Sequence, residues 1–168
     1  EHPRLIRLRT FSKAYGMAGA RVGYAVTSPE IAASFDLVRN HFGVNRIAQA
    51  GALATLADTA YLGAVQRDVA AAKARIGEIG AAHGLAAVPS ATNFVALDTG
   101  RSGDAARALV AALAAAGIFV RMPFVAPQDR CIRISAGPDA MLDALAQALP
   151  RTAARPPHTG RSLRRPAP

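Results

Sequence analysis

"TFSKAYGMAGARVGY", residues 10–24, places a lysine ahead of three glycines and an arginine eight positions after the lysine. The 168-residue chain carries twenty Lys+Arg residues, yet only Lys13 and Lys73 are lysines. Gly16, Gly19 and Gly23 let backbone come close to a ligand and adopt positive φ. Thr10 and Ser12 bring hydroxyls, and Arg21 brings a planar fork of donors suited to a phosphate. The stretch can therefore grip a phosphate. It is not a Walker loop, because the lysine precedes the glycines, and its glycine spacing is not that of a dinucleotide fingerprint. An arginine at position 13 would hold a phosphate equally well. What arginine cannot readily do is lose a proton and attack a carbonyl, as a lysine can.

An amine beside a phosphate grip points to a phosphorylated aldehyde, and so to pyridoxal 5'-phosphate. On spacing alone, a surface loop with an ordinary lysine and arginine stays open as the blander reading.

Outward from the loop, "LIRLR" (residues 5–9) and "VGYAV" (residues 22–26) alternate like strands. Ser28, Pro29 and Glu30 signal a helix start, with Ile31, Phe35 and Val38 on one face. Asn45 can cap the next helix, with Ile47, Ala50, Ala54 and Ala57 along one side. From about Thr59 to His83, the positions Leu62, Val65, Val69, Ala72, Ile76 and Ile79 form a seam of threes and fours. That seam reads as a long connecting helix, with a coiled-coil dimer as the sharper alternative. Beyond Gly84, residues 93–97, 118–121 and 131–135 read as strands. Between the first two lies a helix with Leu109, Ala112, Leu113 and Ala116 on one face and Gly117 past its end. Residues 139–149 form a last helix on Leu142, Leu145 and Leu149. Alternating helices and strands indicate a layered α/β or α+β unit. The expected divisions are 1–58, a connecting helix 59–84, 85–150, and a tail 151–168.

Hydrophobic residues make up 51% of the chain, enough for a sizeable core, and none of its apolar runs reaches membrane-spanning length. With a single cysteine, Cys131, no intrachain disulfide can form. No signal peptide is legible, and a reducing, cytoplasmic setting is expected. The net charge is +9, and the Pro- and Arg-rich tail carries five arginines and no acid. Most of the basic excess thus lies in a segment that reads as disordered, so nucleic acid is not the expected partner. No metal site is expected. His41 and His83 end helices and read as caps or solvated residues, and Cys131 reads as a buried strand residue.

The run "RLIRLRTFSKAYGMAGARVGYAV" closely resembles the lysine region of fold-type-I, PLP-dependent class I/II aminotransferases of the histidinol-phosphate aminotransferase type. "VNRIAQAGALATLAD", "PSATNFVAL", "GIFVRMP" and "CIRISAG" extend the resemblance over about residues 1–150. It implies the C-terminal part of an aspartate aminotransferase-like fold: the last strands of a large-domain sheet plus a small α/β C-terminal domain. It implies that Lys13 condenses with the cofactor and then shuttles the proton between the substrate α-carbon and the cofactor's C4′ carbon. Ser12 and Arg21 would hold the cofactor phosphate, with Thr10 a weaker candidate. Arg133 would bind the substrate carboxylate, or the corresponding end of the substrate. Arg121 would lie near a distal group such as a phosphate, and Asn93 near the site. The implied partners are a small-molecule amino donor, a 2-oxo acid acceptor and a second copy of the full-length protein.

Members of that family carry, ahead of this region, an aspartate for the pyridine nitrogen and a ring that stacks on the cofactor. Glu1 stands only twelve residues before Lys13. Asp36 and Asp58 come after the lysine and do not fit. The chain therefore reads as a truncated part whose sheet strands lack partners, and it is expected to be poorly active alone. Two other readings stand beside this one: a PLP-dependent decarboxylase of the same fold, of the threonine-phosphate type, and a non-catalytic binding protein using the basic tail.

Overall fold

A computed structural model describes residues 4–149. The chain divides into two compact units, Glu1–Ala70 and Ala71–Pro168. The division falls within the longest helix, α3 (Thr59–Ala82). The expected tail, residues 151–168, lies outside the described residues.

In the first unit, β1 (Arg7–Thr10) and β2 (Gly23–Val26) form an antiparallel pair, with Arg7 opposite Val26 and Thr10 opposite Gly23. The caps legible in the sequence are formed. Ser28 accepts from the Ile31 amide at the start of α1 (Pro29–Asp36). Asn45 Oδ1 accepts from the Ala48 amide at 2.8 Å, starting α2 (Arg46–Ala57). Each satisfies an amide that has no partner within its helix.

The faces expected of these two helices are corrected. Helix α1 stops at Asp36, so Val38 lies beyond it and is 83% exposed; Ile31 is only half-buried. In α2, Ile47 is 85% exposed, while Ala48 and Ala52 are buried. Small residues face inward there because the long Met17 side chain lies against Gly51 and Thr55. Among the described residues, only Phe11, Ala48 and Ala52 of this unit are buried apolar side chains. Leu8, Leu37, Phe42 and Leu53 are largely exposed.

The second unit is built on a three-stranded antiparallel sheet in the order β3-β4-β5. The strands are β3 (Ala86–Val88), β4 (Phe94–Asp98) and β5 (Cys131–Ser135). Alternation decides its faces. Val95 and Leu97 of β4 stand opposite Ile134 and Ile132 of β5, and all four are buried. They join Ala72, Ile76 and Ile79 of α3, Ala106, Leu109 and Leu113 of α4 (Gly103–Ala115), and Leu142 and Leu145 of α5 (Asp139–Ala148) in one core. The other face of the sheet carries Phe94, Ala96, Arg133 and Ser135, with Phe94 opposite Ser135 and Ala96 opposite Arg133.

Of the α3 seam, Ala72, Ile76 and Ile79 are buried in this core, while Leu62, Val65 and Val69 are half-buried. The last stretch of the seam packs within its own chain. The strand expected at residues 118–121 does not form. The backbone leaves α4 through Gly117 at φ +79° and meets β5 at Arg121 alone, a single bridge to Arg133. Pro123 follows two residues later and has no amide to extend a ladder. Strand β3 was not anticipated, since Ala86-Ala87-Val88 shows no alternation.

Candidate active site

The loop between β1 and β2 is organised around Phe11, which is 2% exposed and contacts the rings of Tyr15 and Tyr24 at 5.0 and 5.7 Å. The Phe11 amide donates to Val22 O, and its carbonyl accepts from the Met17 amide at 2.9 Å. With Phe11 turned inward, its neighbours on the chain are set toward solvent: Ser12 is half-buried and Lys13 exposed. The Gly16 amide donates to Lys13 O at 2.9 Å, and Gly16 turns the chain at φ +69°. Thr10 Oγ1 accepts from the Ser12 amide at 3.0 Å. Thr10 thus orders the backbone of the loop.

Arg21 has φ 52° and ψ 51°, the only positive φ of a non-glycine residue among the described ones. A left-handed arginine costs roughly 1–2 kcal/mol and persists where its surroundings impose it, commonly at functional sites. Its Nη1 donates to Ala18 O at 2.7 Å, which holds the guanidinium over the short 3₁₀ turn Ala18–Ala20. Two residues later, a Cβ on Gly23 would lie 2.7 Å from Arg9 O, so only glycine lets β2 run this close to β1. Thr10, Ser12, Lys13 and Arg21 therefore share one pinned loop. Among the described residues, no acid pairs with Lys13 or Arg21. The loop offers an amine, a hydroxyl and a guanidinium, a donor set for an anion.

In the second unit, Arg133 lies mid-strand on the open face of the sheet. Its amide donates to Arg121 O at 2.6 Å, and its carbonyl accepts from the Arg121 amide at 3.2 Å. Residues opposed in this way point to the same face. Two arginines thus stand side by side, although like charges directly opposite are unfavourable by about 0.2–1 kcal/mol. Among the described residues, neither guanidinium is paired with an acid. Each instead meets a ring: Arg133 over Phe94 at 4.8 Å and Arg121 near Phe119 at 5.8 Å. Asn93 is exposed just ahead of β4, and its carbonyl accepts from the Ala136 amide at 2.9 Å. That bond anchors the backbone, and no side-chain contact ties Asn93 to either arginine. Phe11 and Phe94 were not singled out in the sequence. The signal for Phe94 was the alternation that sets it on the same face as Arg133.

Cys131 is buried at the start of β5, and burial first, then the Asp98 carboxylate, pushes its thiol above the ordinary 9.0. His83 Nδ1 lies 2.8 Å from Ile79 O at the end of α3. Among the described residues, no cluster of His, Cys, Asp or Glu could hold a metal, and no helix is long and apolar enough to cross a membrane.

The sequence model described as aminotransferase class I and II matches residues 1–149. The chain belongs to the class I and II aminotransferase family. It is similar to histidinol-phosphate aminotransferase 1 of Cupriavidus pinatubonensis, 41% identical over 152 residues, covering 88% of this chain and 40% of that protein. It is also similar to the aromatic amino acid aminotransferase of Rhodococcus jostii, 40% identical over 153 residues, covering 91% of this chain and 41% of the relative. The fold matches the crystal structure of histidinol-phosphate aminotransferase from Sinorhizobium meliloti in complex with pyridoxal-5'-phosphate. There the TM-score is 0.85 and the identity 57%, over 88% of this chain and 41% of the other. The chain therefore spans about two-fifths of the length of these relatives.

Proposed function

We propose that this chain provides the lysine loop and the substrate-anion face of a pyridoxal-phosphate-dependent aminotransferase. Its amino donor is an amino compound with an anionic group, histidinol phosphate first among them, and its acceptor is 2-oxoglutarate. The observation that carries this reading is Lys13 itself. It is an exposed amine without an acid partner, on a loop pinned by buried Phe11 and by Arg21 in a left-handed conformation. That donor set fits the cofactor. Pyridoxal phosphate, when bound, supplies an aldehyde for the lysine and a ring that draws electrons from the substrate α-carbon.

The rest falls to residues of this chain. Lys13 would hold the cofactor and, as a free amine, would carry the proton to and from the substrate α-carbon. Ser12 and Arg21 grip the phosphate, and Thr10 fixes the Ser12 backbone. Arg133 forms a bidentate pair with the substrate carboxylate. Arg121 receives the distal anionic group, and Asn93 lies near the site. The exposed apolar side chains of the first unit, Leu8, Phe42 and Leu53 among them, pack against the remaining three-fifths of the fold. The working enzyme is a cytoplasmic homodimer.

The test is product analysis in a protein that joins this chain to the rest of that fold. Histidinol phosphate with 2-oxoglutarate should yield glutamate, and Lys13→Ala should abolish it. Carbon dioxide released without need of a 2-oxo acid would mark a decarboxylase instead. DNA binding that falls with salt and needs residues 151–168 would favour the binding-protein reading.

A further inference from the structure

We propose that Phe94 is a positioning residue for Arg133: its ring fixes the guanidinium in place for the substrate carboxylate. This rests on the reading of Arg133 given above. The geometry follows from strand register. Ala96 stands directly opposite Arg133 and offers only a methyl group, while Phe94 lies two residues away on the same face. Diagonal neighbours of this kind are in reach of long and aromatic side chains. The arginine side chain leans across Ala96, and its guanidinium carbon lies 4.8 Å from the Phe94 ring centroid.

Both ends of this contact are held. Phe94 O accepts from Ser90 Oγ at 2.6 Å and from Thr92 Oγ1 at 3.3 Å, so the turn before β4 clamps the residue that bears the ring. Arg133 stands opposite Ala96 of β4 on one side, and its amide and carbonyl both bond to Arg121 on the other. Only the arginine's side-chain torsions are left to fix, and the ring restricts them. A guanidinium over a ring uses its flat face and spends no N–H on the contact. All its donors stay free for a carboxylate. Among the described residues, no acid competes for them. Phe119 does not serve Arg121 in the same way, being 81% exposed and farther, at 5.8 Å.

The experiment follows the Arg133 Nε–Hε signal by NMR in the whole 168-residue chain, with succinate as the dicarboxylate probe. The signal should be shifted upfield by the ring, move to an ordinary position in Phe94→Leu, and stay shifted in Phe94→Tyr. Succinate affinity read at this signal should fall about two- to fivefold in Phe94→Leu, as an exposed cation–π contact implies, and be rescued in Phe94→Tyr. A succinate response equal in the unsubstituted chain and in Phe94→Leu overturns the positioning role alone. A tyrosine variant as weak as the leucine one also overturns it. If succinate leaves the Arg133 signal of the unsubstituted chain unmoved, the carboxylate reading itself fails and takes this proposal with it.

Discussion

Replacing Gly23 with alanine tests how the lysine loop is held. The added Cβ would lie 2.7 Å from Arg9 O, against an ordinary C···O contact of about 3.3 Å. The obstacle is a backbone oxygen in the paired strand, so no side chain can rotate aside. The strands must part by roughly half an ångström, and the pair of Gly23 with Thr10 is the rung that closes the loop. Overpacking of this kind costs about 1–3 kcal/mol, and each ladder bond lost adds about 1 kcal/mol. Against this, alanine restricts the unfolded chain and returns about 0.4–1 kcal/mol. The clash wins, and the net loss is about 1–2 kcal/mol. The assay is amide hydrogen exchange. The Phe11 amide, which donates to Val22 O at 3.3 Å, should exchange about 5- to 30-fold faster. Leu97, fully buried in the second unit, should be unaffected. A Phe11 rate within twofold of the parent chain, or an equal acceleration at Leu97, would refute the view that Gly23 locally permits the pairing that pins this loop.

Two further outcomes are expected. Arg121→Gln removes one of two facing cations, so the chain should resist urea as well as before or up to about 1 kcal/mol better at low salt. High salt should erase the gain, and a clear loss of stability would show that the pair is structural. Burial and Asp98 raise the Cys131 thiol above its ordinary value of 9.0, so the fold favours the neutral thiol. Its contribution is fully present below the unfolded thiol pKa and is lost as pH rises through the higher folded value. Cys131 should resist iodoacetamide at pH 8 until the chain is unfolded. Stability in the parent chain should fall more from pH 8 to pH 10 than in Cys131→Ala; equal losses would contradict this.

The lysine loop was legible because its chemistry resides in residue type. An amine at position 13, in a chain that otherwise uses arginine, is informative without coordinates. Strand β5 and the caps at Ser28 and Asn45 were legible for similar reasons, since alternation and cap chemistry act over a few residues. What failed depended on partners distant in sequence. In alanine-rich α2, several faces look equally apolar, and Met17 decides which one is buried. The stretch at residues 118–121 has strand composition, but Pro123 and the Gly117 turn leave it one rung. Phe94 drew no notice in the sequence, because its place beside Arg133 depends on the β4–β5 register.

The central claim is that Lys13, and not merely a basic surface, is the reactive amine. The chain contains its own control, because its one other lysine, Lys73, donates to Ser90 O at 2.9 Å. The most direct measurement is borohydride reduction after incubation with pyridoxal phosphate, followed by peptide mapping. Labelling concentrated on Lys13 and weakened by Arg21→Gln is the predicted result. Labelling of Lys73 to the same extent, or labelling of Lys13 indifferent to Arg21, would contradict the account.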